Sequence, residues 1–298
     1  MEIQGAEADR VSADCDNLLY QAFGAVYTHL GRSIPSVKVT IDLQVPLARG
    51  LGSSATAIVG GLMGANVLAG YPLSLDQLLG LAIDLEGHPD NVVPALLGGC
   101  RLAASDVAPQ VIAPQVIAPQ ATASEPTASK PSVSKSALPW QICAIPWHPD
   151  VMAVVAVPDF ELSTEAARQV LPQDYGRGDA IFNVAHLGLL LRGLETGHGD
   201  WLRAALVDRI HQPYRQTLIP GFTAVQGAAI SAGAYGVVIS GAGPTLLALT
   251  ALDRVEAVQQ AMAQAWHQEQ IQALVKCVGI SQRGAIVDRV DADRVDND

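Results

Sequence analysis

Residues 45–69 read VPLARGLGSSATAIVGGLMGANVLA: Pro46 ends an alternating segment, Gly50 and Gly52 flank Leu51, and Ser53-Ser54-Ala55 opens a run rich in Ala and Gly. Glycines let the backbone approach a ligand and take dihedrals that a side chain forbids, and the serines stand where a helix N-terminus points its unpaired N–H groups. Phosphate is the natural guest of such a cradle. A P-loop requires G-x-x-x-x-G-K-[ST], and no lysine follows these glycines; a dinucleotide fingerprint needs a third glycine in register, where Ser-Ser-Ala stands. A serine-capped glycine turn without a ligand is the other reading of this short string.

Upstream, Val37, Val39, Ile41, Leu43 and Val45 alternate with Lys38, Thr40, Asp42 and Gln44, which predicts a half-buried strand over 37–45. Before it, Asp16-Asn17 leads into LLYQAFGAVYTHLG, an amphipathic helix that Gly31 stops, with residues 1–16 polar and acidic. Downstream, Gly60, Gly61 and Gly64 in the helix after the glycine turn cost stability, so another element is expected to press on its backbone. Ser74 and Gln77 are spaced as a capping box for the helix LDQLLGLAIDLE. That helix ends on Glu86, where the macrodipole disfavours a carboxylate, and a partner is expected for it. The polar turn Glu86-Gly87-His88-Pro89-Asp90-Asn91 follows at once.

Residues 103–139 change character: the unit APQVI recurs, then Ala, Ser, Thr, Pro and Lys dominate, a composition that builds no packed core and predicts a low-complexity insertion. Order resumes at Trp140. The expected elements are strands at 151–157, 235–240, 246–250, 275–280 and 284–287, and helices from 163 and over 179–194, 199–211, 220–232 and 254–269. A charged tail starts at Asp288.

At 298 residues and 49% hydrophobic, the chain can bury the core of one large or two mid-sized domains. A net charge of -11 argues against nucleic acid or an anionic membrane as partner. Cys15, Cys100, Cys143 and Cys277 show neither CxxC nor metal-ligand spacing, which fits reduced thiols in the cytoplasm. No leader-like apolar region opens the sequence, and no window offers about 18 uninterrupted apolar residues.

The ten residues from Pro46 to Ala55 fit P-x-x-x-G-L-G-S-S-A and resemble the ATP-binding motif of the GHMP kinases, the superfamily of galactokinase, homoserine kinase, mevalonate kinase and phosphomevalonate kinase. Three further stretches resemble the homoserine kinases among them: E-G-H-x-D-N at 86–91, S-T-x-x-A-R-x-x-L-P at 163–172 and D-x-x-H-x-P-x-R at 208–215. Residues 238–244, VISGAGP, resemble the third GHMP motif, a second glycine loop.

The resemblance implies an α+β, two-domain GHMP kinase fold. A ribosomal protein S5 domain 2-like N-terminal domain would occupy 1–150, with 103–139 inserted, and a ferredoxin-like C-terminal domain 151–298. It implies phosphorylation of L-homoserine by ATP with magnesium. Pro46, Gly50, Leu51, Gly52, Ser53, Ser54 and Ala55 would hold ATP; Ser54 and Glu86 would hold Mg2+ and Asn91 would orient the substrate hydroxyl. Arg168 and Arg215 would grip the substrate carboxylate, as a planar guanidinium can, assisted by Thr164, with Gly241 and Gly243 nearby. Asn17 is either a base contact or an ordinary helix cap. Asp90 is a candidate general base by chemistry, whereas the resemblance implies direct attack by the hydroxyl. A homodimer is compatible with it.

The family also opens with strands carrying P-x-S-x-N-L-G-x-G-x-D, and nothing like that precedes Val37. The expectation is that about fifty residues of the family pattern stand upstream of this sequence or are missing from it. A nucleotide-binding relative without turnover and a kinase for another small alcohol are the alternatives.

Overall fold

The structure, a computed structural model, describes residues 1–105 and 139–288. In the first half β1 (Glu2–Gln4) pairs in parallel with β2 (Thr40–Asp42), and between them runs α1 (Leu18–His29). The glycine turn then leads into α2 (Ser53–Leu68), followed by α3 (Leu75–Glu86) and α4 (Val92–Leu97). Antiparallel β3 (Cys100–Ser105) and β4 (Trp140–Ile145) close this half.

The crowded helix forecast from its glycines is α2. A Cβ on Gly61 would lie 2.1 Å from the Leu19 carbonyl oxygen, so α1 and α2 touch backbone to backbone there. Around that contact Ala22, Val26, Ile58, Leu62 and Ala65 join Leu78, Ala82, Val92 and Val93 of α3 and α4 in one core. The capping box of Ser74 and Gln77 starts α3 as expected.

In the second half β5 (Val151–Pro158) is followed by five helices: α5 (Thr164–Gln169), α6 (Arg177–Thr196), α7 (Gly199–Ala205), α8 (Gln212–Arg215) and α9 (Phe222–Ser231). Then come β6 (Gly236–Ile239), β7 (Leu246–Ala251), α10 (Val255–Gln268) and β8 (Ala273–Val278). The sheet runs β6-β7-β5-β8 with every pair antiparallel. This is the ferredoxin-like order. Val154 and Ala156 of β5 face α9 and α10, where Trp266 is fully buried, while Val151 and Ala153 face Leu194 and Leu202 of α6 and α7. Burial on both faces is why β5 reads as an apolar run without alternation.

Four expectations need correction. The strand over 37–45 pairs only at Thr40–Asp42, because β1 offers three residues to it; half-buried and exposed side chains nevertheless alternate through all nine positions. The insertion expected from 103 starts later, since Ala103, Ala104 and Ser105 pair with Ile142, Gln141 and Trp140; residues 106–138 lie outside the described residues. The helix over 199–211 stops at Ala205, because the Asp208 carboxylate takes the N–H groups of Ile210, His211 and Gln212 and so competes with helix continuation. Residues 284–287 form no strand. They strap the end of the second half back onto the first: Gly99 N–H donates to Ser281 O (2.7 Å) and Ala285 N–H to Leu96 O (3.2 Å). Of the expected tail, 289–298 lies outside the described residues.

Candidate active site

The chain enters the glycine turn through Ala48 (φ 52°), Gly50 (φ 72°) and Gly52 (φ 72°), left-handed conformations that suit the glycines and strain the alanine. Gly52 occupies the N-cap position of the sixteen-residue α2 and supplies no side-chain cap, so the helix opens uncapped. Gly50, Gly52, Ser53 and Ser54 line a cleft of about 340 Å³ at that opening. An uncapped N-terminus is a partial positive charge with free donors.

The second glycine loop forms the facing wall. A Cβ on Gly50 would stand 2.4 Å from Ser240 O and 2.7 Å from Gly243 O, and Ser240 Oγ donates to Gly50 O at 2.9 Å. Only glycine at 50 lets the loops of the two halves meet this closely. Gly241, Ala242 and Gly243 line the cleft, with Gly241 and Gly243 also left-handed.

Glu86, the last residue of α3, accepts a hydrogen bond from Ser54 Oγ at 2.7 Å, and Gly87 (φ 85°) turns the chain away. The partner expected for this carboxylate is therefore a hydroxyl on α2, and no cationic side chain pairs with Glu86 among the described residues. Asn91 begins α4, and a Cβ on Gly52 would be 3.4 Å from Asn91 Oδ1, so its amide stands directly beside the cradle. His88 and Asp90, ion-paired with each other when the histidine is protonated, complete this side.

The remaining wall is cationic. Ser163 caps α5 by accepting from Ala166 N–H (3.0 Å), which sets Thr164 at the first turn and Arg168 one turn later on the same face; both line the cleft. Arg215 arrives from α8. Asp208 gathers the approaching turn, accepting from Ile210, His211 and Gln212 N–H and from Asn183 Nδ2. Burial raises the Asp208 pKa, but these hydrogen bonds outweigh it and hold the carboxyl below its usual value. Gln212 Oε1 then accepts from Ile239 N–H (2.9 Å) and pins α8 to β6.

Arg215 Nε donates to Ala167 O and Nη1 to Gly241 O, both at 3.1 Å, joining α5 to the second glycine loop. Burial first, and then the like charge of Arg168, pull its pKa below the ordinary arginine value. Among the described residues, neither Arg168 nor Arg215 is in an ion pair with a carboxylate. Two neighbouring guanidinium groups that no carboxylate ion-pairs among the described residues, with the Asp208 charge acting on Arg215 only from a distance, make a site for an anion, and their planar forks suit a carboxylate or phosphate.

Of the residues expected from sequence, Gly50, Gly52, Ser53, Ser54, Glu86, Asn91, Thr164, Arg168, Arg215, Gly241 and Gly243 line this one cleft. Pro46, Leu51 and Ala55 do not, and Ala55 is buried in the first core. Asn17 also lies outside it. Its Oδ1 accepts from Leu19 and Tyr20 N–H and its Nδ2 donates to Ser12 O, so the amide caps α1. Ala48, Leu162 and Ala242 line the cleft without having been expected; apolar side chains of this kind carry no sequence signal of a site.

The GHMP kinases N terminal domain model matches residues 17–99 and the GHMP kinases C terminal model residues 190–268. A homoserine kinase of Trichormus variabilis is 56% identical over 285 residues, covering 96% of this chain and 84% of that protein. One from Synechococcus sp. is 53% identical over 286 residues, covering 96% and 84%. Among solved structures, the homoserine kinase of Cytophaga hutchinsonii superposes with a TM-score of 0.77 at 27% identity, covering 95% of this chain and 83% of that one. Phosphomevalonate kinase of Streptococcus pneumoniae, in complex with phosphomevalonate and AMPPNP, shares the fold at a TM-score of 0.64 and 13% identity, covering 90% and 83%.

Proposed function

The chain belongs to the GHMP kinases, and from that premise we infer that it transfers the γ-phosphoryl group of ATP to the side-chain hydroxyl of L-homoserine, yielding O-phospho-L-homoserine for threonine biosynthesis. One observation favours an acceptor that bears a carboxylate: Arg168 and Arg215, in no ion pair with a carboxylate among the described residues, line the cleft that also receives the uncapped N-terminus of α2, and the similarity to homoserine kinases selects homoserine among such acceptors. An amino acid brings the carboxylate that such a pair grips, whereas a neutral sugar brings none.

Phosphoryl transfer asks a protein mainly to position two reactants and to neutralise charge. The N–H groups at the start of α2 receive the phosphates, with the hydroxyl of Ser53 beside them. Ser54 Oγ and Glu86, 2.7 Å apart with no cationic side chain against the carboxylate, offer the hard oxygens that magnesium takes. When bound there, the ion neutralises charge on the phosphoryl oxygens. Asn91, beside Gly52, holds the acceptor hydroxyl, and Thr164, Arg168 and Arg215 hold the substrate carboxylate. Direct attack by the held hydroxyl is our reading, as the family resemblance implies. Four cysteines outside any disulfide suit a cytoplasmic enzyme.

The test is ADP release with MgATP and each of L-homoserine, mevalonate and galactose. Release that depends on homoserine alone is the expected result. Equal release with mevalonate would remove the acceptor assignment.

A further inference from the structure

We propose that Arg49 is a positioning residue that sets the spacing between the phosphate cradle and the carboxylate grip, and so directs the phosphoryl group to homoserine rather than to water. The proposal rests on the reading of the cleft as a homoserine kinase site. Arg49 falls on an unspecified position of P-x-x-x-G-L-G-S-S-A, does not line the cleft, and is assigned no part in binding above.

Its side chain is 11% exposed and is consumed by contacts between the two halves. Nε donates to Pro158 O (3.1 Å), Nη2 to Asp159 O (3.0 Å) and Nη1 to Leu47 O (3.1 Å), while Nη1 also pairs with Glu161 Oε1 at 3.1 Å. The guanidinium thus ties the end of β5 to the residues that precede Gly50. Its surroundings reinforce the tie. Glu161 also pairs with Arg10 (2.7 Å), Glu7 accepts from Leu47 N–H (2.8 Å), and Leu162 N–H donates to Ala48 O (3.3 Å). The hydrogen bond from Arg49, with help from Arg10, holds the Glu161 carboxyl below its usual pKa.

Position in the chain gives this lacing a functional consequence. Arg49 stands one residue before Gly50 and four before Ser53, and Leu162 stands two before Thr164 and six before Arg168. Whatever fixes 47–49 against 158–162 therefore fixes the α2 N-terminus against the α5 N-terminus, the phosphate end against the carboxylate end. Lysine cannot replace this fork, because an ammonium is a point charge on a flexible stem.

In the reaction the bond from the γ-phosphorus to the β,γ-bridging oxygen breaks, a bond to the acceptor oxygen forms, the acceptor proton passes to solvent, and ADP leaves. A held homoserine hydroxyl yields O-phosphohomoserine, whereas water yields inorganic phosphate. Loss of spacing slows the first outcome and leaves the second.

The experiment compares Arg49→Lys, Arg49→Met and Glu161→Gln with the unsubstituted chain. Four quantities are read: O-phosphohomoserine formed per ADP released, kcat with homoserine, acceptor-free MgATP Kd, and Tm. The lysine and methionine variants are expected to keep MgATP Kd within about twofold, to lose about 10- to 100-fold in kcat, and to form clearly less than one O-phosphohomoserine per ADP. Glu161→Gln, which leaves the carbonyl contacts of Arg49 in place, should shift the ratio less. Should the methionine variant fail to fold, the lysine variant still decides. Folded variants with unchanged kcat and one product per ADP would overturn the proposal, as would a rate loss that follows Tm while the ratio stays at one. Absence of homoserine-dependent ADP release from the unsubstituted chain would overturn the reading of the site, and the proposal with it.

Discussion

Glu86 and Arg215 bear the two opposite charges that matter in the cleft, and each is held in a way that makes its removal readable. Arg215 is fixed by carbonyls at Ala167 and Gly241, which leaves the rest of its fork for a ligand. Arg215→Ala should raise the homoserine KM about 10- to 100-fold, the worth of a charge-assisted hydrogen bond, and change the ATP KM much less. Among the described residues, Glu86 is hydrogen-bonded to the Ser54 hydroxyl and ion-paired with no cation. Glu86→Ala should mainly lower kcat and flatten its dependence on magnesium concentration. Steady-state kinetics at varied homoserine, ATP and magnesium would check both, and equal effects of the two variants on ATP alone would reverse the assignments. At this scale the sequence was legible where a side chain had chemistry to declare, as with the acid at the wrong end of a helix, whereas Arg168 and Arg215 were legible only through the resemblance of the segments around them. It was silent on Ala48 and Leu162, which enter the cleft through backbone geometry.

The helices show what glycine does in two places three residues apart. Gly61 and Gly64 both lie in α2, where replacing glycine by alanine gains about 1 kcal/mol of helix propensity. At Gly64 no atom of the described residues outside its own stretch of helix backbone lies within 4 Å of the added Cβ, so Gly64→Ala should stabilise by about that amount. At Gly61 the Cβ would meet the Leu19 carbonyl oxygen at 2.1 Å, a backbone atom that cannot rotate away. Gly61→Ala should therefore destabilise, by about 1–3 kcal/mol as overpacking does. Denaturant midpoints of the two variants give the comparison, and the same sign for both would contradict the account of α2 against α1. Helix starts such as Ser74 and Ser163 could be read from sequence because caps are local. The end of α7 could not, since it depends on a carboxylate that turns back on its own chain at Asp208.

Across the whole molecule the cleft is a product of meeting surfaces. The glycine loop of the first half closes on the Ser240–Gly243 loop of the second, Arg49 stitches β5 to the phosphate turn, and residues 281–285 return from β8 to the end of α4. The α+β class, the ferredoxin-like half and most of the cleft were legible through the family resemblance that the short motifs carry, and those motifs are written locally. The tertiary lacing was not: Arg49 and Glu161 lie 112 positions apart with no periodic relation, and Gly98 meets the 282–284 backbone only after folding. The pairing of β1 with β2 was likewise hidden, since three residues carry no measurable alternation. On this account the assembled cleft phosphorylates the side-chain hydroxyl of an amino acid that it holds by the carboxylate. The most direct test measures kcat/KM from ADP release with MgATP, comparing L-homoserine with 3-aminopropan-1-ol, which has the same hydroxyl and amine without the carboxylate. Leaving the two guanidinium groups of the cleft without their anion should cost about 10- to 100-fold. Equal kcat/KM for the two acceptors would contradict the account.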